Sequence, residues 1–322
     1  MPSSTALPQS PPPSVGKLDK YVLAYANVEG VAVGRVRHWI SFMLLSGALD
    51  RAARSASRTP GAPRFIVKGG VALELRLPGR ARATDDLDIV VVCDEDDLVV
   101  ALDTALNTAS GTTPNESYLD CTFTRKPDVY PLGDKGVRVW IHIAYRSQRW
   151  ATVQVDLAKP DATDTETERL GGIPLTRFGL AGPRDVACLS LRYHIAQKFH
   201  GMTKMPHDGV ENDRFRDVVD LLLLRALVAD DDLPAVREAC EETFRVRGEH
   251  AWPPAVALPT HWRAPFAALA AAVKLPVADL TEAESALRVF VDELLISGPA
   301  RTDGASEDAD PDVRGKGSER HL

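Results

Sequence analysis

Two aspartates one residue apart are the residues of this chain whose type and spacing most directly suggest chemistry. Asp86 and Asp88 stand at the start of an apolar run. Because side chains alternate between the faces of a β-strand, we expect both carboxylates on one face and Leu87 and Ile89 on the other, in a core. Two such acids repel each other unless a cation lies between them, and Mg²⁺ is typically held by one or two carboxylates together with substrate phosphates. The pattern therefore predicts a divalent-metal site.

A pair of glycines precedes these acids. Gly69 and Gly70 follow Lys68 and open a short segment that we expect to be helical. Neither glycine has a Cβ, so the backbone there can approach a bulky anion closely. Taken alone, an Asp-x-Asp pair is more often a solvated turn, and two glycines are more often a plain turn. The order of glycines, helix and Asp-x-Asp before a Val/Ile run is more specific than either part.

Basic residues gather around these motifs in two groups. The first group comprises Arg64, Lys68, Arg76, Arg80 and Arg82, and the second comprises Lys198, Lys204, Arg214 and Arg216. Such side chains are usually solvated surface, but beside catalytic acids they could hold phosphates. The net charge of −7 argues against a general nucleic-acid coat protein and still allows a local basic face.

The composition indicates a globular protein. With 322 residues, of which 44% are hydrophobic, the chain can bury a large core and can form two domains. No apolar run is long enough for a transmembrane helix, and no basic-then-apolar signal peptide precedes the chain, so we expect no membrane partner and a cytoplasmic location. The four cysteines are scattered without a Cys-x-x-Cys pair, which argues against a zinc cluster and a disulfide framework.

Hydrophobic periodicity predicts strands first and helices afterwards. Strands are predicted at 64–67, 87–92, 137–145 and 151–156. Helices are predicted at 36–56, 71–77, 97–109, 184–200, 213–228, 233–244 and 264–275, and a last helix is opened by a capping box at 281–284. We expect a disordered N-terminus over 1–15, a domain with N-terminal helices over 16–170, a helical domain over 171–296 and a disordered tail over 297–322.

A third acid ends the fourth predicted strand. Asp156 lies on its polar face, together with Thr152 and Gln154. Antiparallel pairing with the strand of Asp86 and Asp88 would bring Asp156 to the same metal. The simpler interpretation of Asp156 alone is that it begins the loop that follows.

Two further acids and three histidines lie in the second half. Asp217 and Asp220 are three residues apart and share a helix face, as site residues or as salt-bridged surface residues. His194, His200 and His207 show no i, i+4 pair typical of a metal site, and we expect them to be surface or acceptor-side residues.

Several of these segments together resemble a known family. The matching blocks are Lys68-Gly69-Gly70-Val71-Ala72-Leu73, Arg82-Ala83-Thr84-Asp85-Asp86-Leu87-Asp88, Val155-Asp156-Leu157, Ile195-Ala196-Gln197-Lys198 and Arg214-Phe215-Arg216-Asp217-Val218-Val219-Asp220. Over roughly residues 64–224 the chain resembles the AbiEii nucleotidyltransferase toxins, the toxin half of type IV bacterial toxin–antitoxin and abortive-infection systems. This family is a branch of the polymerase-β-like nucleotidyltransferases. The resemblance implies an α+β fold, with a mixed-sheet catalytic core followed by a mostly helical half.

The resemblance also implies roles for individual residues. It implies Asp86, Asp88, Lys198 and Asp217 as catalytic residues, and Asp86, Asp88 and Asp156 as metal ligands. It implies Lys68, Gly69, Gly70, Arg82, Thr84, Lys198 and Asp220 as nucleotide-binding residues, with Asp220 alternatively orienting its helix. The chain departs from the common pattern at Gly70, where many nucleotidyltransferases have Ser, and at Arg216, where Lys is common. These departures leave the rate and the choice of nucleotide open.

The implied function is metal-assisted nucleotidyl transfer from a nucleoside triphosphate, with Mg²⁺ at Asp86 and Asp88 and with a second ion, helped by Asp156, allowed. By resemblance the acceptor is the 3′ end of tRNA, whose modification would block aminoacylation until a cognate antitoxin restrains the enzyme. One alternative is transfer to a protein hydroxyl or to a small molecule such as an aminoglycoside. The other is a catalytically inactive protein that binds a nucleotide or a partner.

Overall fold

The computed structural model describes residues 8–56, 65–92, 97–111, 118–133, 136–164, 166–205 and 211–298. Within these ranges the chain forms one mixed sheet and a set of helices, which confirms the expected α+β class. No helix in these ranges is both long and apolar enough to cross a membrane.

Eight strands in the described ranges belong to one sheet. They are β1 (Phe65–Lys68), β2 (Asp86–Val91), β3 (Cys121–Arg125), β4 (Tyr130–Pro131), β5 (Gly136–Tyr145), β6 (Gln148–Ala158), β7 (Thr167–Leu170) and β8 (Val186–Leu189). Their order is β3-β5-β6-β2-β1-β8-β7, and β4 pairs with β5. The β2–β6 and β1–β8 pairs are parallel, and the other pairs are antiparallel.

The helices flank this sheet and form most of the second half. They are α1 (Val15–Glu29), α2 (Val33–Ala56), α3 (Gly69–Arg76), α4 (Leu98–Ser110), α5 (Leu191–Thr203), α6 (Phe215–Arg225), α7 (Leu233–Arg247), α8 (Arg263–Ala272) and α9 (Leu280–Ile296). Helix α9 starts two residues earlier than its predicted capping box, with Thr281 as N-cap, would place it. Its N-cap is Asp279, whose carboxylate accepts a hydrogen bond from the backbone N–H of Thr281 at 2.7 Å.

Two apolar cores hold the fold together. The first core contains Leu87, Ile89 and Val91 of β2 together with residues of α1, α2 and α4. The second core unites α5 to α9 and receives Ile66 of β1 and Val90 of β2. Because Val90 shares its strand face with the two aspartates of β2, these acids lie on the sheet face that the helical half covers in part.

One predicted helix is partly wrong. The segment predicted as a helix over 184–200 begins with strand β8, and α5 starts only at Leu191. All four residues of β8 are buried, and Cys188 pairs with Val67 in the centre of the sheet. A short, continuous apolar run of this kind cannot be assigned to strand or helix by periodicity, so tertiary pairing decides. Strand β8 lies after residue 170 in the chain but belongs to the sheet. The predicted boundary between a domain over 16–170 and a helical domain over 171–296 therefore stays a prediction.

The N-terminal segment contacts the sheet before α1 begins. The Tyr145 hydroxyl donates a hydrogen bond to the backbone carbonyl of Pro12 at 2.6 Å, and Ser14 caps α1. Residues 8–14 belong to the N-terminus that we expected to be disordered, and within this segment Pro12 contacts β5. Residues 1–7 and 299–322, and with them most of the predicted tail, lie outside the described residues.

Candidate active site

The two aspartates of β2 lie on one face of the strand, as predicted. Leu87 and Ile89 are fully buried on the opposite face, whereas Asp86 and Asp88 are partly exposed. Thr84 Oγ1 donates a hydrogen bond of 2.8 Å to Asp86 Oδ1 and thereby orients this carboxylate. The alternation of the strand therefore presents two carboxylates side by side to the same space.

Asp156 lies beside this pair, but by a different route from the one expected. Strand β6 runs parallel to β2, not antiparallel, and the register places Asp156 opposite Asp88. On its other side β6 pairs antiparallel with β5 in a hairpin. Both oxygens of Asp156 accept hydrogen bonds from Arg138, at 2.8 and 2.7 Å. Asp156 thus belongs to the acidic face, with its charge already paired.

The two glycines allow the chain to lie directly against these acids. Gly69 has a φ of +63°, and a Cβ at this position would lie 1.9 Å from Asp88 Oδ2. At Gly70 a Cβ would lie 2.6 Å from Thr84 Oγ1. A side chain at either position would displace a residue of the site, so the glycine pair is required by close approach rather than by a simple turn.

Lys198 is the centre of a buried network on the helical side. Its Nζ atom donates to Asp217 Oδ1 at 2.8 Å and to Asp220 Oδ2 at 2.6 Å. Asp220, which is fully buried, also accepts two hydrogen bonds of 3.0 Å from the guanidinium of Arg82. Helix α5 supplies the lysine and α6 supplies both carboxylates. The predicted i, i+3 face of α6 therefore points inward, which excludes the interpretation of Asp217 and Asp220 as surface residues.

The charges of this network reinforce one another. Burial acts to lower the pKa of Lys198, but the carboxylates of Asp217 and Asp220 outweigh it and raise this pKa above its ordinary value. Burial likewise acts to raise the pKa of Asp217, but Lys198 and Arg214 hold it below the usual range. The lysine is therefore held as an ammonium and Asp217 as a carboxylate over the whole physiological pH range.

The acid pair has the opposite character. Burial raises the pKa of Asp88 to about 6, and the neighbouring carboxylates of Asp86 and Asp156 add to the effect, while Lys68 and Lys198 act against it. This pattern indicates a concentration of negative charge that nearby cations compensate only in part. Asp86 and Asp88 form a donor set of the kind that Mg²⁺ shares with substrate phosphates. Among the described residues, no group of three His, Cys, Asp or Glu side chains converges to form a complete metal site by itself.

Two residues of the site were missed by sequence reasoning. Asp164, which is buried, lies 3.7 Å from Lys68 Nζ and accepts a hydrogen bond of 3.0 Å from Gln197 Nε2. It thereby ties the end of β1 to α5, the helix that contains Lys198. Arg138 is the second missed residue. Its alternation on β5 with buried positions was visible in the sequence, but the strand that it faces was not.

Some of the residues grouped with the motifs do not lie at the site. Arg76 is nearly buried and donates to Glu168 and to the carbonyl of Leu189, so it supports the fold rather than a phosphate. His194 and His200 are buried, at 2% and 3% exposure, and are therefore not surface residues as expected. Burial lowers the pKa of both, and they stay neutral at physiological pH. Arg64 and His207 lie outside the described residues.

The acid pair, the glycine pair and Lys198 line one open cavity of about 540 Å³. Its lining includes Gly69, Gly70, Arg82, Thr84, Asp86, Asp88, Asp156, Lys198, Arg214, Arg216 and Asp217. Of the residues proposed as site residues from the sequence, only Lys68 and Asp220 are outside this lining. Asp220 pairs with Lys198 of the lining, and Lys68 directly precedes Gly69 and pairs with Asp164. One cavity thus combines acids that are compensated only in part, a glycine pair that allows close approach, and a charged lysine.

A mixed sheet that presents paired acids beside a glycine loop, with a lysine contributed by the helical half, defines the class of nucleotidyltransferases. The model of the family described as nucleotidyl transferase AbiEii toxin, type IV TA system, matches residues 51–293 of the chain. The protein belongs to this family and is a nucleotidyltransferase of the toxin–antitoxin type. No curated protein sequence matches the chain.

Two solved structures resemble this chain to different degrees. MenT4, a nucleotidyltransferase toxin from Mycobacterium tuberculosis H37Rv, superposes with a TM-score of 0.54 at 15% identity, over 88% of this chain and 90% of that one. JHP933 from Helicobacter pylori matches with a TM-score of 0.39 at 13% identity, over 80% of this chain and 91% of that one. At these identities the likeness to MenT4 shows a shared fold.

Proposed function

We propose that this toxin is a metal-dependent enzyme that transfers nucleotides from a nucleoside triphosphate to the 3′ end of tRNA and so blocks aminoacylation. The observation that supports this most is that Asp86, Asp88 and Lys198 line one cavity with opposite electrostatic character. Transfer from a nucleoside triphosphate needs both kinds of group. The acids would hold the cation that binds the phosphates, and the lysine would balance the negative charge of the phosphates directly.

The acid pair is proposed as the binding site for a divalent cation. Asp86 and Asp88 would hold Mg²⁺, which when bound neutralises phosphate charge and lowers the pKa of the attacking hydroxyl. Thr84 orients the carboxylate of Asp86 for this role. Each oxygen of Asp156 accepts one hydrogen bond from Arg138, so a cation bound at Asp156 would compete with the guanidinium for this carboxylate. A second ion is therefore less favoured at Asp156 while this contact is present.

The remaining residues would position the triphosphate. The Lys198 ammonium has three N–H donors, and its two carboxylate contacts leave one for a phosphate oxygen. Gly69 and Gly70 allow phosphates to approach the backbone, and Arg214 and Arg216 line the same cavity. In this arrangement the acceptor hydroxyl would attack the α-phosphorus and lose its proton to solvent. The bond from the α-phosphorus to the bridging oxygen would break, and pyrophosphate would leave toward the positive side of the cavity.

The proposal also includes a protein partner and a cellular location. The family is defined by type IV toxin–antitoxin systems. We propose a cognate antitoxin as the protein partner that restrains the enzyme, and the cytoplasm, where tRNA is aminoacylated, as its location.

Transfer of labelled nucleotide tests this function. The purified protein is incubated with Mg²⁺, α-labelled nucleoside triphosphates, total RNA and total protein, and the label is followed in each fraction. We expect label in tRNA, lowered about a hundredfold or more in Asp86→Asn, because the site loses a charged ligand for the Mg²⁺ that would bind the phosphates. The control Asp185→Asn removes a carboxylate that pairs with Arg169 on the distant edge of the sheet.

Two results would contradict the proposal. Label in the protein or small-molecule fraction instead of RNA would reject the acceptor, and full activity of Asp86→Asn would reject the site. Sequencing tRNA 3′ ends after incubation with each triphosphate separately would identify the nucleotide that is added.

A further inference from the structure

The sheet face that presents the acids continues beyond them onto two more strands. Residues directly paired across neighbouring strands point to the same face. Asp86 pairs with Gln154 of β6, and Gln154 pairs with Trp140 of β5. Since strands are about 4.8 Å apart, Trp140 lies about 10 Å from Asp86 on the same face. The active site therefore opens onto a continuous surface rather than ending at Asp156.

Two aromatic rings lie together on this partly exposed sheet face. The rings of Trp140 and Tyr130 meet edge to face, with centroids 5.2 Å apart and an interplanar angle of 82°. Tyr130 is 51% exposed, and Trp140 is only partly buried. His142 follows on the same face of β5, opposite Thr152. Exposed aromatic rings beside a catalytic centre suit the faces of nucleobases, because stacking is favourable with any base.

Two cations border the aromatic pair. Lys126 continues β3, and its backbone N–H donates to the carbonyl of Trp140 at 2.8 Å. Arg149 donates to Thr152 Oγ1 at 3.0 Å. Neither cation forms an ion pair with a carboxylate of the described residues, whereas most arginines near the site do.

Arg149 and His142 lie close together, because both contact the hydroxyl of Thr152. Burial lowers the pKa of His142, and the positive charges of Arg149 and Lys126 lower it further. Two cations that act on one imidazole create a local positive potential on a chain of net charge −7. We call Lys126, Tyr130, Trp140, His142 and Arg149 the sheet platform.

We propose that the sheet platform binds the single-stranded 3′ end of the acceptor RNA, stacking its bases on Trp140 and Tyr130 and binding its phosphates through Lys126 and Arg149. This inference rests on the proposed function, because it presumes that the acceptor is an RNA. The alignment of Trp140 with Asp86 across the sheet favours RNA over a protein partner. A single-stranded RNA bound across the platform would lead directly into the cavity, where its terminal hydroxyl would react. The positive charges of Lys126 and Arg149 complement its phosphates.

Measurements of RNA affinity and of catalysis in parallel test the sheet platform. Fluorescence anisotropy with a short, 5′-labelled single-stranded RNA gives the dissociation constant. Steady-state transfer gives the KM for RNA and the KM for the triphosphate separately. The variants are Trp140→Ala, its conservative counterpart Trp140→Phe, and the double variant Lys126→Glu with Arg149→Glu. The matched control is Lys20→Glu with Arg245→Glu, which reverses two exposed charges on α1 and α7.

For Trp140→Ala we expect about tenfold weaker RNA binding and a KM for RNA raised by a similar factor, because one stacked base is lost. Trp140→Phe should restore most of the affinity. The charge-reversed double variant should weaken binding at least as much and reduce the slope of log affinity against log salt by about 1 to 2. In all variants the KM for the triphosphate should stay unchanged, which also shows that the cavity is folded. The control should behave as the wild type.

The outcomes separate this inference from the proposed function. If the wild type labels RNA and the platform variants keep wild-type RNA affinity and KM, the platform is overturned while the function stands. If the wild type labels no RNA, the function fails, and the anisotropy series then decides the platform by itself. RNA affinity that drops in the variants supports the platform, and RNA affinity that is absent or unchanged rejects it.

Discussion

The two halves of the active site solve opposite electrostatic problems. On the sheet side, Asp86 and Asp88 lie together with only partial compensation, and repulsion adds to burial in raising the pKa of Asp88 to about 6. On the helical side, Lys198 is buried between two carboxylates, one of which is also bound by Arg82. The negative charges of the sheet side are balanced only in part, whereas the charges of the helical side balance one another.

This difference indicates that the charges of the helical side stabilise the fold, whereas those of the sheet side destabilise it and serve binding. A buried charge network that is fully paired is rigid, and it loses much when one member is removed. A pair of like charges destabilises the fold and is retained where a cation or a substrate balances it. The comparison therefore predicts that substitutions on the two sides change stability in opposite directions while both abolish activity.

The largest effect is expected for Lys198→Ala. Removal of the ammonium leaves Asp217 and Asp220 buried with less compensation, so the free energy of unfolding should fall by about 3 to 5 kcal/mol, together with loss of activity. Urea denaturation measures the change. The control Lys204→Ala removes a half-exposed lysine paired with Glu249 and should cost less than about 1 kcal/mol. Equal stability of Lys198→Ala and wild type would refute the buried network.

A change of opposite sign is expected for Asp88→Asn. The folded-state pKa of about 6 lies above the unfolded value of 3.8, so the folded state binds more protons between these pH values. With divalent ions chelated, the wild type should therefore lose stability as the pH rises from about 4 to about 6. The variant should lack this dependence and be about 1 to 3 kcal/mol more stable at pH 7, although inactive.

Addition of Mg²⁺ extends the same test. The ion should raise the melting temperature of the wild type at pH 7, because it binds the folded state, and should raise that of Asp88→Asn less. A melting temperature of the wild type that does not respond to Mg²⁺ up to millimolar concentrations would contradict the assignment of the acid pair as a metal site.

The smallest effect is expected for Arg138→Gln. This variant tests whether Asp156 acts together with the acid pair of the sheet side. Loss of the guanidinium frees both oxygens of Asp156 next to the acid pair. We expect the concentration of Mg²⁺ at half-maximal activity to fall a few-fold, since one positive charge leaves a site that binds cations. The matched control is Arg192→Gln, which breaks a comparable pair with Glu166 away from the cavity. An increase in the Mg²⁺ requirement would instead show that Arg138 orders the site.

Much of the sheet side could be predicted from the sequence. A period of two is a local property, so the common face of Asp86 and Asp88, and that of Gln154 and Asp156, required no knowledge of the fold. The pairing of these strands did require it. Counting outward from the two-residue turn between β5 and β6 would pair Arg138 with Val155, but a β-bulge shifts the register by one residue and pairs it with Asp156.

The helical side shows the opposite balance. The i, i+3 spacing of Asp217 and Asp220 left open whether they face solvent, and the resemblance to the family, not the pattern, indicated Lys198. Burial of the Lys198 network depends on how α5 and α6 pack against each other and on Arg82, which is 138 residues away from Asp220 in the chain. Periodicity contains no information on contacts over that distance.

The sequence by itself determined which side chains share a strand or helix face, because backbone geometry repeats over two or about four residues whatever surrounds it. It also contained the ordered motifs by which the family can be recognised. The tertiary structure alone decided the parallel pairing of β2 with β6, the burial of strand β8 and the pairing of Asp156 with Arg138. These features depend on long-range packing and on desolvation, which no local pattern of residues records.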